Sequence, residues 1–169
     1  NVVNGNSAIF SMMRMASNLR NYQKQIIEPV RSKQQTRFLE MRPTLPSAKD
    51  EIKMNIETLY FLLETKDSNL LGELVTEVAR YQTALDAINE RSQLHRQEIQ
   101  PLLERAGIVH GGNYSFEQIE AALGNRLYIT MQQATKQVID HVDSTIVSLK
   151  QVCDKLTASL KKQYPDEII

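Results

Sequence analysis

Between Leu71 and Ala106 apolar residues recur at alternating spacings of three and four: Leu71, Leu74, Val78, Tyr81, Leu85, Ile88, Ile99, Leu102 and Ala106, with Ser92 and His95 continuing the series. This is the a and d pattern of heptads on one helix. Such a helix spans roughly 55 Å at 1.5 Å per residue, so its narrow apolar seam needs long partners. The chain supplies them. Ile9, Met12, Ala16, Leu19, Ile26 and Val30 recur at helical spacing after Ser7, an N-cap candidate, and Met13, Met15 and Tyr22 widen their face. Tyr128, Met131, Thr135, Val138, Val142, Thr145, Leu149, Val152 and Leu156 repeat the same rhythm, broadened by Ile139, Ile146, Cys153 and Leu160. A seam that wide suits a helix that touches two neighbours, as in a four-helix bundle.

Prolines and glycines punctuate these segments. Pro29 lacks an amide hydrogen and crowds the carbonyl of Gln25, which predicts a kink or an end in the first helix. Pro101 repeats the device in the third helix and frees the carbonyl of Gln97. Glu98-Ile99-Gln100-Pro101 echoes Ile26-Ile27-Glu28-Pro29, too briefly to count as a repeat. From Ser32 to Pro46 periodicity fades, so residues 33–46 read as an irregular connection. Ser47 and Asp50 resemble a capping box, opening a shorter second helix through Ile52, Ile56, Leu59, Tyr60 and Leu63 to about Glu64 or Lys66. It covers half of the third helix, and the extended 39–46 stretch covers part of the rest.

Asp67, Ser68 and Asn69 are alternative caps for the third helix, whose opposite face, Glu73, Glu77, Arg80, Glu90, Arg91 and Glu104, reads as solvated. Gly107 suits a left-handed C-terminal cap, and His110-Gly111-Gly112-Asn113 a turn. Ser115 and Gln118 form a capping box, with Tyr114 placed to staple to Ile119, and Gly124 either breaks the helix that follows or thins it. The expectation is an all-α antiparallel four-helix bundle with long helices over about 69–106 and 116/126–163. It forms one domain, 1–169, with tails at 1–6 and 164–169.

Twenty basic and twenty acidic residues leave no net field to attract nucleic acid. The charges are uneven: residues 1–50 hold eight basic and three acidic side chains, residues 51–125 six and twelve. The plain reading packs a basic first helix beside the acidic middle of the chain. One cysteine, Cys153, excludes an internal disulfide and, set on the apolar face, suits a structural thiol. No run of eighteen apolar residues is present, and the chain opens at Asn1 without an initiating Met, so a preceding segment is expected to have been removed.

Chemistry has few places to sit. None of the three histidines follows a Glu by three residues, which removes the Glu-x-x-His pairs of di-iron bundles, and zinc spacings are absent. His141 lies between Asp140 and Asp143, yet adjacent helical residues do not face one ligand. The candidate site is Ser92 and His95 on the third-helix seam, opposite Thr135 in an antiparallel pairing. It is either a polar core layer that sets register or a ligand contact. No catalytic residue, cofactor, metal or small molecule is assigned.

The chain therefore reads as a non-enzymatic interaction or scaffold module that works through a protein partner or self-association. Its expected place is the cytoplasmic face of a bacterial inner membrane, with membrane contact only through a segment outside this sequence. The rival reading is the ligand-sensing domain of a signalling receptor, with the polar layer as its pocket.

Overall fold

The computed structural model describes residues 1–46, 52–65, 67–109 and 111–169, and among them every regular element is helical. The α-helices are α1 (Val2–Tyr22), α2 (Arg37–Glu40), α3 (Asn69–Leu94), α4 (Gln100–Arg105), α5 (Phe116–Leu123) and α6 (Asn125–Gln163). A 3-10 helix spans Ile56–Glu64. No helix among the described residues is long and apolar enough to cross a membrane.

Both prolines act through the same local geometry. Each follows a five-residue π turn, Gln23–Ile27 after α1 and His95–Ile99 after α3. In each, the residue just before the proline donates its amide one residue farther back than in an α-helix, Glu28 to the Gln23 carbonyl and Gln100 to the His95 carbonyl. The widened turn absorbs the missing proline donor without unwinding the rod. The two short sequence echoes thus adopt one shape, with Ile27 and Ile99 fully buried. The third helix continues through its π turn into α4 and stops at Gly107, which is left-handed as expected.

The long helix at the centre is α6, which packs along both α3 and α1. At 39 residues it is about 58 Å long. Its register against α3 is read from Asp67 with Ser159, Glu73 with Lys155, Glu77 with Ser148 and Arg91 with Thr135, so the two run antiparallel. The Asn1 amide donates to the Tyr164 hydroxyl, and Arg31 grips Asp143 with two nitrogens at 2.7 and 2.9 Å, so α1 is antiparallel to α6 as well. The basic start of the chain thus makes a long-range ion pair with α6, while α1 also packs beside the 3-10 helix of the acidic middle segment.

Three expectations need correction. α1 begins at Val2, five residues before Ser7, because Gly5 lets its first turns lie directly on α6, and Met13, expected to widen its apolar face, points to solvent while Met15 is buried. The second helix is not α-helical: residues 52–55 are irregular and Ile56–Glu64 is a 3-10 helix, capped by Asn55, whose Oδ1 accepts from the Glu57 amide, and it buries Leu59 and Leu62 while Tyr60 and Leu63, expected on the inner face, are exposed. Its expected start, with Ser47 and Asp50, lies outside the described residues. Glu77 and Arg91, assigned to a solvated face, are 3% and 1% exposed. Elsewhere Ser115 and Gln118 close the capping box, and Gly124, at a φ of 75°, separates α5 from α6.

A side chain on Gly5 would meet both Leu160 methyl carbons, 2.8 Å from one and closer to the other. Gly5→Ala gains roughly 1 kcal/mol of helix propensity but overpacks a buried contact worth about 1–3 kcal/mol. The expected net loss is about 1 kcal/mol by urea denaturation, abolished when Leu160 is shortened to Val.

The apolar interior is divided. A large cluster between α1, α3, α6 and the 3-10 helix includes Leu19, Met41, Leu74, Ile88 and Val138. A smaller one, under α5, is made by Phe38, Ile99, Ile119, Leu123 and Met131. Along α3 the break falls between Ile88 and Ile99, and along α6 between Val138 and Met131. Polar residues fill that level.

Candidate functional site at the buried Arg91 layer

The middle of this level is a guanidinium. Arg91 Nε donates to Thr135 Oγ1 at 3.0 Å, and Nη2 donates to the carbonyls of Phe38 at 3.1 Å and Met41 at 2.6 Å. Among the described residues no carboxylate pairs with it, and Nη1 has no protein partner. Burial pulls its pKa down to about 10, against a smaller opposing effect of Tyr22. A cation taken from water without a counter-charge is costly, and hydrogen bonds to neutral acceptors offset only part of that cost.

The strap formed by residues 38–46 is tied to α3 at this level. Ser92 Oγ accepts from the Thr44 amide at 3.1 Å, and Arg96 donates to the Thr44 carbonyl. The non-helical part of the strap, 41–46, thus covers part of the third helix, as expected of the 39–46 stretch. Below the layer, Phe38 and Tyr128 meet edge to face, with ring centroids 5.2 Å apart.

His95 opens the π turn and faces the Leu39 carbonyl. Burial, then the neighbouring Arg91 charge, pushes its pKa down to about 4, while Leu39 opposes the shift and Arg96 adds to it. Its Nδ1 has no protein partner, and neither does the buried hydroxyl of Tyr22, whose pKa rises to about 12 through burial. Among the described residues, the buried side-chain polar atoms without a partner are those of Tyr22, Arg91 and His95.

The expected trio of Ser92, His95 and Thr135 therefore comes to one level, joined through Arg91 and the strap. Sequence reasoning missed Arg91 and Tyr22 as members. A signal was present: Leu70, Glu77, Ala84 and Arg91 are spaced by sevens and all buried. Together with Leu74, Tyr81 and Ile88 they form a second three-four stripe on α3, in a different phase from the apolar one. This second stripe faces α6, where Ser148 Oγ donates to Glu77 Oε2 at 2.6 Å.

Beside the layer, a cleft of about 970 Å³ opens between α1 and α3. Tyr22, Asn18, Tyr81, Leu85 and Ile88 line it, together with Thr44 and Leu45 of the strap and residues 52–55. Its size lies at the upper end of small-molecule sites. It exists where residues 52–55 take an irregular path in place of a helical turn.

The other candidate chemistry is dispersed. Asp140 pairs with Lys136, and Asp143 with Arg31 and Gln23, so neither converges on His141. Cys153 is half-buried against the main core, and burial raises its pKa. No group of three or more His, Cys, Asp or Glu able to hold a metal occurs among the described residues. Comparison with protein-family models, with curated proteins and with solved structures found no match.

Proposed function

We propose that this chain is a non-enzymatic helical interaction module, built on the up-down-up-down plan of a four-helix bundle whose second traverse is the strap and 3-10 helix. The observation carrying this reading is a line of large apolar side chains on the outer face of α1. Val3, Phe10 and Met13 are 80%, 62% and 59% exposed and follow spacings of seven and three. On the adjoining 3-10 helix, Tyr60 and Leu63 are also exposed, and residues three apart share a face there. In this reading a partner helix or a second copy covers the line, and any membrane attachment comes from chain outside these residues.

A photo-crosslinking amino acid at position 10, in cells, should yield one discrete adduct, and the same group at Glu104 should not. Diffuse or absent adducts at position 10 would sink the reading. Phe10→Glu should abolish the adduct formed from position 13 while changing stability by less than about 0.5 kcal/mol, as expected of an exposed site.

The second reading, a ligand-sensing bundle, is favoured by one specific arrangement: a cleft whose wall residue Tyr22 also reaches the buried Arg91 layer. Here the polar level is the recognition end of a pocket. α3 and α6, joined across it through Arg91 and Thr135, are the elements whose packing a ligand would bias.

A further inference from the structure

We propose that the Arg91 layer binds a small anionic group, a carboxylate or an inorganic anion, held by Arg91 Nη1 and the Tyr22 hydroxyl. This deepens the ligand-sensing reading and rests on it only for what fills the cleft beyond. Two of the unpartnered groups offer the same chemistry: Arg91 Nη1 is an obligate donor and the Tyr22 hydroxyl donates freely, while His95, whose other ring nitrogen faces the Leu39 carbonyl, keeps a lone pair on Nδ1. Buried donors without acceptors are rare, and two at one level are the pattern of a site and not of scattered packing defects.

The charge balance points the same way. Arg91 is 99% buried and no described carboxylate neutralises it, so the layer carries a full positive charge in a poorly solvated place. Its protein partners, Thr135, Phe38 and Met41, occupy Nε and Nη2 alone, which leaves the hydrogens of Nη1 without an acceptor. A single oxygen of a carboxylate or inorganic anion, held between Nη1 and the Tyr22 hydroxyl, would supply the missing acceptor and the missing charge. A cation ligand is disfavoured by Arg91 itself and by Arg96 on the next turn. Tyr22 joins the layer to the cleft, where Asn18, Asn21 and Asn89 provide amides above an apolar floor of Leu85 and Ile88. A small monocarboxylate with a polar body fits that order of groups.

The test is a titration of the full chain at pH 7 with sodium acetate, the same additions to Tyr22→Phe serving as the ionic-strength control, read by the Arg91 Nε nitrogen shift and the backbone amides. Saturating shifts at Arg91 and around Tyr22, with none at Glu77 and Ser148, are expected. Tyr22→Phe keeps the ring and should weaken the apparent Kd about tenfold, the effect of losing one hydrogen bond to a charged group. A linear, unsaturated drift, or equal affinity in Tyr22→Phe, overturns the site. A parallel titration with chloride separates the two sources. Saturation by chloride as tight as by acetate, with benzoate and glutamate no tighter, upholds the anion site and removes the ligand-sensing reading. Tighter binding by a larger monocarboxylate, with shifts spreading to Asn18 and Leu85, supports both.

Discussion

Arg91→Ala is expected to destabilise the protein by about 3 kcal/mol, measured as the shift in urea midpoint at an unchanged slope. The substitution deletes three hydrogen bonds and leaves the carbonyls of Phe38 and Met41 and the Thr135 hydroxyl facing a gap. Relief of the guanidinium's own burial cost offsets part of the loss, which is why the figure is smaller than the bonds would sum to. Arg91→Met, which fills the space with apolar atoms, should cost about 1–2 kcal/mol. The damage should be local first. Exchange of the Thr44 amide, bonded to Ser92, should accelerate more than exchange in the middle of α6, because Arg91 anchors the strap that carries it. Wild-type stability in Arg91→Ala would mean that the strap is held without its central donor.

The second large effect concerns acid. The pKa of His95 falls from 6.5 in the unfolded chain to about 4 in the folded one, so between those values the unfolded state binds more protons. Stability from this group is complete above pH 6.5 and is lost as pH falls toward 4. After allowance for partial exposure of the ring, the loss is about 2 kcal/mol between pH 7 and pH 4. Carboxylates titrate over the lower part of the same range, so the measurement is the difference between the wild type and His95→Leu. The variant should be at least as stable at pH 7, since it removes an unpartnered ring nitrogen. Its stability should decline less between pH 6.5 and pH 4. Parallel pH profiles would show that the imidazole is not kept neutral by its surroundings.

Much of the layer was legible, and what was not has a common cause. Ser92, His95 and Thr135 stood out because each interrupts an apolar seam. Arg91 did not, because a charged residue one place off the seam reads as solvated unless its partners are known. Those partners are distant in sequence: Thr135 is 44 residues away and the Phe38 carbonyl 53. Tyr22 looked like ordinary widening of an apolar face, and only packing shows that its hydroxyl ends beside a cation. The second segment failed for a different reason. The 3-10 helix buries Leu59 and Leu62 and turns Tyr60 and Leu63, expected on the inner face, outward, and over nine residues apolar spacing does not separate a period of three from one of 3.6.

What the sequence determined by itself was the long helices and much of their punctuation: helical periodicity, interruptions at Pro29 and Pro101, the left-handed stop at Gly107 and the capping box at Ser115, whereas at Gly124 it left a break and a thinned helix open. Each depends on residues within a turn or two of one another, so local chemistry suffices. Only the tertiary structure decided which of two overlapping stripes on α3 meets α6. Hydrophobicity favours the one through Leu71, Val78 and Leu85, yet docking buries Leu70, Glu77, Ala84 and Arg91 more deeply. The physical reason is that a polar side chain becomes a core residue once another segment brings it acceptors or donors. For Glu77 that donor sits on Ser148, 71 residues along the chain.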